Sequence, residues 1–216
     1  MMMRLVVTVG LVLTVVTCRP SAVAAAERTS EAFAETGVIV DVHTFFRAAA
    51  RDDSMESQVA LESVAGRALV TETGVYAFLE TPENENALSV AGPGSVVSVS
   101  GKLLNGSSLL HIDELALVTR VPLIEFGRYR NDTGTEVSLS GVNKCQCGLD
   151  VADLPHSCKL GHLHHLEATD GTIYNYLQFD AGKGTFLGVD SHFKAVEVKA
   201  MELPGHFLLV HSVTAQ

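Results

Sequence analysis

A chain of 216 residues that is 47% hydrophobic can bury one large core or two small ones, so disorder is not its default state. Acidic residues outnumber basic ones 25 to 15, which argues against binding to phosphate backbones or anionic lipid, both of which need clustered Lys and Arg. Trp is absent, so aromatic platforms for stacking sugars are scarce.

The chain opens with the pattern of a signal peptide over residues 1–26. Arg4 supplies the positive start, and Leu5 to Val16 form an apolar run too short to span a bilayer at about 1.5 Å per residue. Small residues at Ala24, Ala25 and Ala26 favour cleavage after Ala26. A lipoprotein route through Cys18 is disfavoured, because Thr17 is large for the position before a lipidated cysteine. The expected location is extracytoplasmic, periplasmic or secreted, with no membrane attachment once the leader is removed. Cleavage removes Arg4, Arg19 and no acid, which takes the net charge from −10 to −12. It also removes Cys18 and leaves three cysteines, so at least one is unpaired within the chain, bridged to another molecule or metal-bound.

Residues 27–36 are small and polar and read as a spacer. After them the chain repeats itself. Thr71 to Leu79 matches Thr169 to Leu177 at a shift of 98, and Val97-x-Val99 matches Val196-x-Val198. Gly37-x-x-Val40-x-Val42 is aligned with Gly134-x-x-Val137-x-Leu139. The two modules span 37–119 and 134–216, joined by a linker, Arg120 to Thr133. In the second, strands are expected at Thr135 to Val142, His162 to Ala168, Thr172 to Gln178, Lys194 to Met201 and Phe207 to Val213. Asp170-Gly171 marks a hairpin between the second and third, and a longer connection with Gly182 and Gly184 follows the third. The first module repeats the plan, with Asn105-Gly106 as its last turn. The fold class is therefore all-β: two tandem five-stranded barrels of the oligonucleotide/oligosaccharide-binding (OB) type. Tyr174 and Tyr176 share one strand face and belong to the core or wall, as do Tyr76 and Phe78 in the first module.

Chemistry concentrates in the second module. Between residues 145 and 165 stand three of the four cysteines, Cys145, Cys147 and Cys158, and four of the nine histidines, His156, His162, His164 and His165. The first module has no cysteine there, so the barrel does not need the cluster to fold. In extended chain, residues two apart face the same way, so Cys145 can pair with Cys147, and His162 with His164, while His165 points oppositely. Cys145, Cys147 and Cys158 with His162 or His164 form a sulfur-rich set suited to zinc, or to copper with fewer ligands. Outside the cytosol the same cysteines also form disulfides, and a bridge from Cys158 to Cys145 or Cys147 would staple the connection and leave one cysteine over. A redox-active thiol is the third reading. His156 and His192 lie in connections; His206, His211, His43 and His111 are expected at the surface. No catalytic set is evident: Gly-x-Ser-x-Gly, a phosphate loop, a dinucleotide fingerprint and His-Glu-x-x-His are all missing from the sequence.

Cys-x-Cys-Gly-Leu, Ser-Cys-x-x-Gly-His-x-His, Asp-Gly-x-x-Tyr and Val-x-Val together resemble small exported bacterial OB-like modules of unknown function, over residues 134–216. The resemblance implies export and a capacity for metal binding, and no reaction. The first spacing departs from the Cys-x-x-Cys usual in those modules, which changes the ligand geometry. The leading expectation is an exported zinc- or copper-binding carrier, sensor or accessory factor. The alternative is a disulfide-stapled module that binds a protein or glycan.

Overall fold

Alternating apolar residues and tight Gly turns set ten strands in the computed structural model, which describes residues 28–46, 66–119, 124–146, 149, 164–177 and 193–216. The first five are β1 (Ser30–Asp41), β2 (Arg67–Val70), β3 (Val75–Phe78), β4 (Val96–Leu104) and β5 (Leu109–Leu117). They close in the order β1-β2-β3-β5-β4. The other five are β6 (Thr135–Cys145), β7 (His164–Ala168), β8 (Ile173–Leu177), β9 (Ala195–Leu203) and β10 (Phe207–Ala215), and they close in the equivalent order. In each barrel the third and fifth strands pair in parallel and every other pair is antiparallel. This is the expected pair of OB-like barrels in tandem.

The register corrects the alignment of the first strands. Gly37 lies opposite Val97 and Gly141 lies opposite Val196, so Gly37 corresponds to Gly141 rather than to Gly134. Both are closed to any side chain for the same reason. A Cβ on Gly37 would stand 2.5 Å from the Val70 carbonyl oxygen, and one on Gly141 would collide with the Glu167 carbonyl. These are the sharp bends that let a long strand serve two sides of a barrel. The corrected alignment also explains why residues 30–36 are not a spacer. They are the first half of β1, paired with β4 from Ser30↔Leu104 to Thr36↔Ser98, with Phe33 buried inside the barrel. A further irregularity recurs in both copies: Asp113 bulges from β5, and its counterpart His211 bulges from β10.

Among the described residues three short helices complete the frame. α1 (Val42–Phe45) is capped by Asp41, whose Oδ1 accepts from Thr44 N at 2.7 Å. α2 (Pro82–Leu88) starts at Thr81 with Pro at its first turn and closes one end of barrel one. Its Asn84 is fully buried and meets its own needs there: Nδ2 donates to the Leu79 and Leu110 carbonyls, and Oδ1 accepts from Ile112 N at 2.7 Å. α3 (Phe126–Arg130) lies within the expected linker, where Tyr129 is buried and its hydroxyl donates to the Glu72 carbonyl at 2.9 Å.

Each barrel has its own interior cluster, one around Leu69, Phe78, Val97 and Ile112, the other around Leu166, Tyr174, Tyr176 and Val198. Tyr174 and Tyr176 do share the interior face, as expected. A third cluster joins the barrels. The outward residues of β2 and β3, including Ala68, Val70, Val75 and Ala77, pack with Phe45, Phe46 and Tyr129 against Leu149, Ile173, Leu177, Leu203 and Phe207. The rings of Phe46 and Phe207 lie 5.4 Å apart. The contact is nearly two-fold symmetric. Ile173 N donates to Gly106 O at 2.8 Å, and at the equivalent place Gly205 packs directly against the Val75 carbonyl. Each barrel thus presses its last hairpin turn onto the start of the other's third strand, the reciprocal pattern of a homodimer interface.

A shared core should unfold as one unit. Phe207→Ala should cost about 3–5 kcal/mol and shift a single denaturation transition of the full chain. Two separate transitions, only one of them moved, would contradict the shared core.

Candidate functional site

The cysteine–histidine cluster grows out of the β6–β7 ladder. Asn143, Lys144 and Cys145 lie opposite Leu166, His165 and His164. Odd-numbered residues of β6 face the interior, so Cys145 and His164 stand side by side within barrel two, where both are buried. The pairing of His165 with Asn175 continues to set Tyr176 opposite His164. Cys145, His164 and Tyr176 therefore form one transverse row across the inner face of β6, β7 and β8. The equivalent row in barrel one is Asp41, Arg67 and Phe78, so this position is polar in both copies, but charged in the first and a cysteine and a histidine in the second.

Cys145 is disulfide-bonded. A sulfur already bonded to sulfur is not a thiolate and does not serve as the expected metal ligand in this state. Cys147, Cys158 and His162, the other expected ligands, lie outside the described residues, as do His156 and His192. Among the described residues no group of three or more His, Cys, Asp or Glu is arranged to hold a metal ion.

Tyr176 brings an unmet need to this row. It is 5% exposed, and its hydroxyl has no hydrogen-bond partner among the described residues. Burial pushes its pKa well above the usual tyrosine range, so the phenol stays protonated.

Just beyond the disulfide the chain is tied to barrel one. Gln146 Oε1 accepts from Glu80 N at 2.6 Å while its Nε2 donates to Glu80 O at 3.1 Å. Leu149 is then fully buried in the core between the barrels. The connection that carries the cluster is thus rooted at three points: a disulfide, a two-bond clamp and an apolar plug.

His165 takes the opposite face, as strand alternation requires, and faces the other barrel. Its Nδ1 pairs with Asn175 Oδ1 at 3.1 Å, and Asn175 Nδ2 donates to Ser108 Oγ at 2.9 Å and Gly205 O at 3.3 Å. Ser108 Oγ also donates to Gly205 O. Sequence reasoning missed this buried network. Its signal was present in the repeat, because Asn175 stands where the first copy has Ala77, a polar residue in an otherwise apolar pattern.

On the same outer face Glu167 holds two cations, Arg28 at 2.7 Å and Lys144 at 2.5 Å. Burial raises the energy of its charge, but Lys144 and Arg28 together hold its carboxyl below the ordinary glutamate range. Arg28 also donates to Gly171 O at 2.8 Å, which ties the start of the described chain to barrel two. Two expectations for other histidines are corrected: His43 and His111 are 6% and 9% exposed, buried rather than at the surface. His206 and His211 are half-exposed as expected and pair with Glu202 and Glu136.

The surface by which an OB barrel grips an oligomer is the face of its second and third strands with the turn between its last two. Here those surfaces, from both barrels, are turned against each other. No protein-family model, characterised protein or solved structure matches this chain.

An unsatisfied buried hydroxyl costs about 1–3 kcal/mol. Tyr176→Phe should therefore leave stability unchanged or raise it by about 1 kcal/mol in denaturant unfolding; a clear loss would mean that the hydroxyl is bonded in solution. Glu167 gives a pH test. Its lowered folded pKa stabilises the fold above the unfolded value of about 4.5, and this contribution fades as pH falls through the lower folded value. Glu167→Gln should cost on the order of 1 kcal/mol at neutral pH, with the gap to the wild type closing below pH 4.5.

Proposed function

We propose that this is an extracytoplasmic, non-enzymatic interaction module that presents its stapled β6–β7 connection to a protein partner. The observation that carries the reading is the Cys145 disulfide at the root of that connection. Disulfides persist in oxidising compartments, which agrees with the leader-like residues 1–26. Anchoring by a disulfide, the Gln146 clamp and Leu149 would reduce the conformational freedom lost on binding, which favours affinity. The chain's acidity and the mutual covering of the two OB faces weigh against nucleic acid. The lack of Trp weighs against a glycan.

A second reading has one specific observation in its favour. If the disulfide were reduced, Cys145 would be a thiol directly across the ladder from His164. Together with Cys147, Cys158 and His162 that arrangement retains the soft donor set for zinc or copper, and the protein would then act as a metal carrier, sensor or accessory factor.

Exported protein decides between them. Its first residue should be Glu27. With three cysteines and one bridge it should titrate one thiol per chain, bind no stoichiometric zinc or copper, and gain one thiol on Cys145→Ser. That substitution should also cost about 2–4 kcal/mol of stability. Three thiols in the metal-free protein, with one metal per chain in the native one, would establish the metal reading instead.

A further inference from the structure

Barrel one carries a cavity of about 590 Å³ far in sequence from the cysteine cluster. Val38 and Val40 line it from the outer face of β1, Phe45 from α1 and Phe126 from α3. Gly94 forms part of the rim at φ +90°, where a side chain would meet nothing within 4 Å. The volume falls in the range of small-molecule sites, about 300–1,000 Å³, and the mainly apolar lining matches them too.

Two charged residues border this cavity, and they are not equivalent. Asp41 is only 7% exposed, and its carboxylate caps α1 through Thr44 N. Arg130 ends α3, is exposed and has no acidic partner among the described residues. It is an uncommitted cation beside an apolar cavity on a strongly acidic protein. One guanidinium matches one carboxylate in a two-bond pair, whereas a multiply charged phosphate would need further cations.

We propose that this cavity binds a small amphipathic carboxylate, its apolar body against Val38, Val40, Phe45 and Phe126 and its carboxylate on Arg130. The site stands on barrel one and does not depend on the state of the cysteines.

The test is calorimetric titration of the exported full chain with decanoate, decanol and decylamine. Decanoate should bind saturably at one per chain. Decanol should bind about fivefold more weakly, the upper end for a charge pair at a wet rim, and decylamine more weakly still. Arg130→Gln, an exposed change that the fold tolerates, should bring decanoate down to the level of decanol. Val38→Trp should fill the cavity and abolish binding, with its unfolding midpoint showing that the barrel is intact. The proposal is overturned if decanoate shows no saturable binding up to about 1 mM, as when the chain itself fills the cavity. Equal binding of decanoate and decylamine, a preference that survives Arg130→Gln, or binding that survives Val38→Trp in a folded protein would also overturn it.

Discussion

The apolar seam between the two barrels is the constraint from which the rest of the molecule follows. Strand alternation gives each barrel an inner apolar face, but β2 and β3 are apolar on their outer face as well. Ala68, Val70, Val75 and Ala77 would face water if barrel one stood alone. Ile173, Leu177, Leu203 and Phe207 place barrel two in the same position. Each barrel covers the other, at about 25 cal/mol for each Å² of apolar surface removed from water. The near-symmetry of the contact, Ile173 on Gly106 and Gly205 on Val75, is what a duplicated module produces when it pairs with its own copy.

On this symmetric frame the copies have diverged. At the seam the second copy has His165 and Asn175 where the first has Ala68 and Ala77. Asn175 replaced an alanine at the seam and recruited His165 and Ser108 into a buried network that fixes how the barrels meet. Cys145, His164 and Tyr176 fill a row that is Asp41, Arg67 and Phe78 in the first copy. Buried polar groups of this kind add little stability and are sensitive to geometry, so they specify one arrangement more than they strengthen it. Barrel one, in exchange, keeps a closed apolar interior under α2 and an open cavity on its other side.

The seam also ties the candidate site to the fold. Gln146 is clamped to Glu80 of barrel one, and Leu149 inserts into the shared core, so these two residues are held by both barrels. Arg28 adds a tie at the other end of the chain, through Glu167 and Gly171. Both OB faces are thus used inside the molecule.

The amino-acid sequence by itself determined the strands, the turns, the duplication and the OB-type plan, because two-residue alternation and Gly-containing hairpins are local features. It also determined that chemistry concentrates between residues 145 and 165, which is a matter of composition. It misled where local pattern is ambiguous. Ser30 to Thr36 look like a spacer, because half of a strand on the outside of a barrel is polar, and Gly37 was matched to Gly134 because register cannot be read from spacing alone. His43 and His111 look like surface residues, because nothing in a sequence states which face a helix or a neighbouring strand will cover. Only the tertiary structure decided that the barrels share a core, that Cys145, His164 and Tyr176 fall in one row, and that Cys145 is oxidised. Those outcomes depend on contacts between residues far apart in the chain, such as Phe46 and Phe207, and such pairings are settled by packing and closure rather than by any residue's own neighbours.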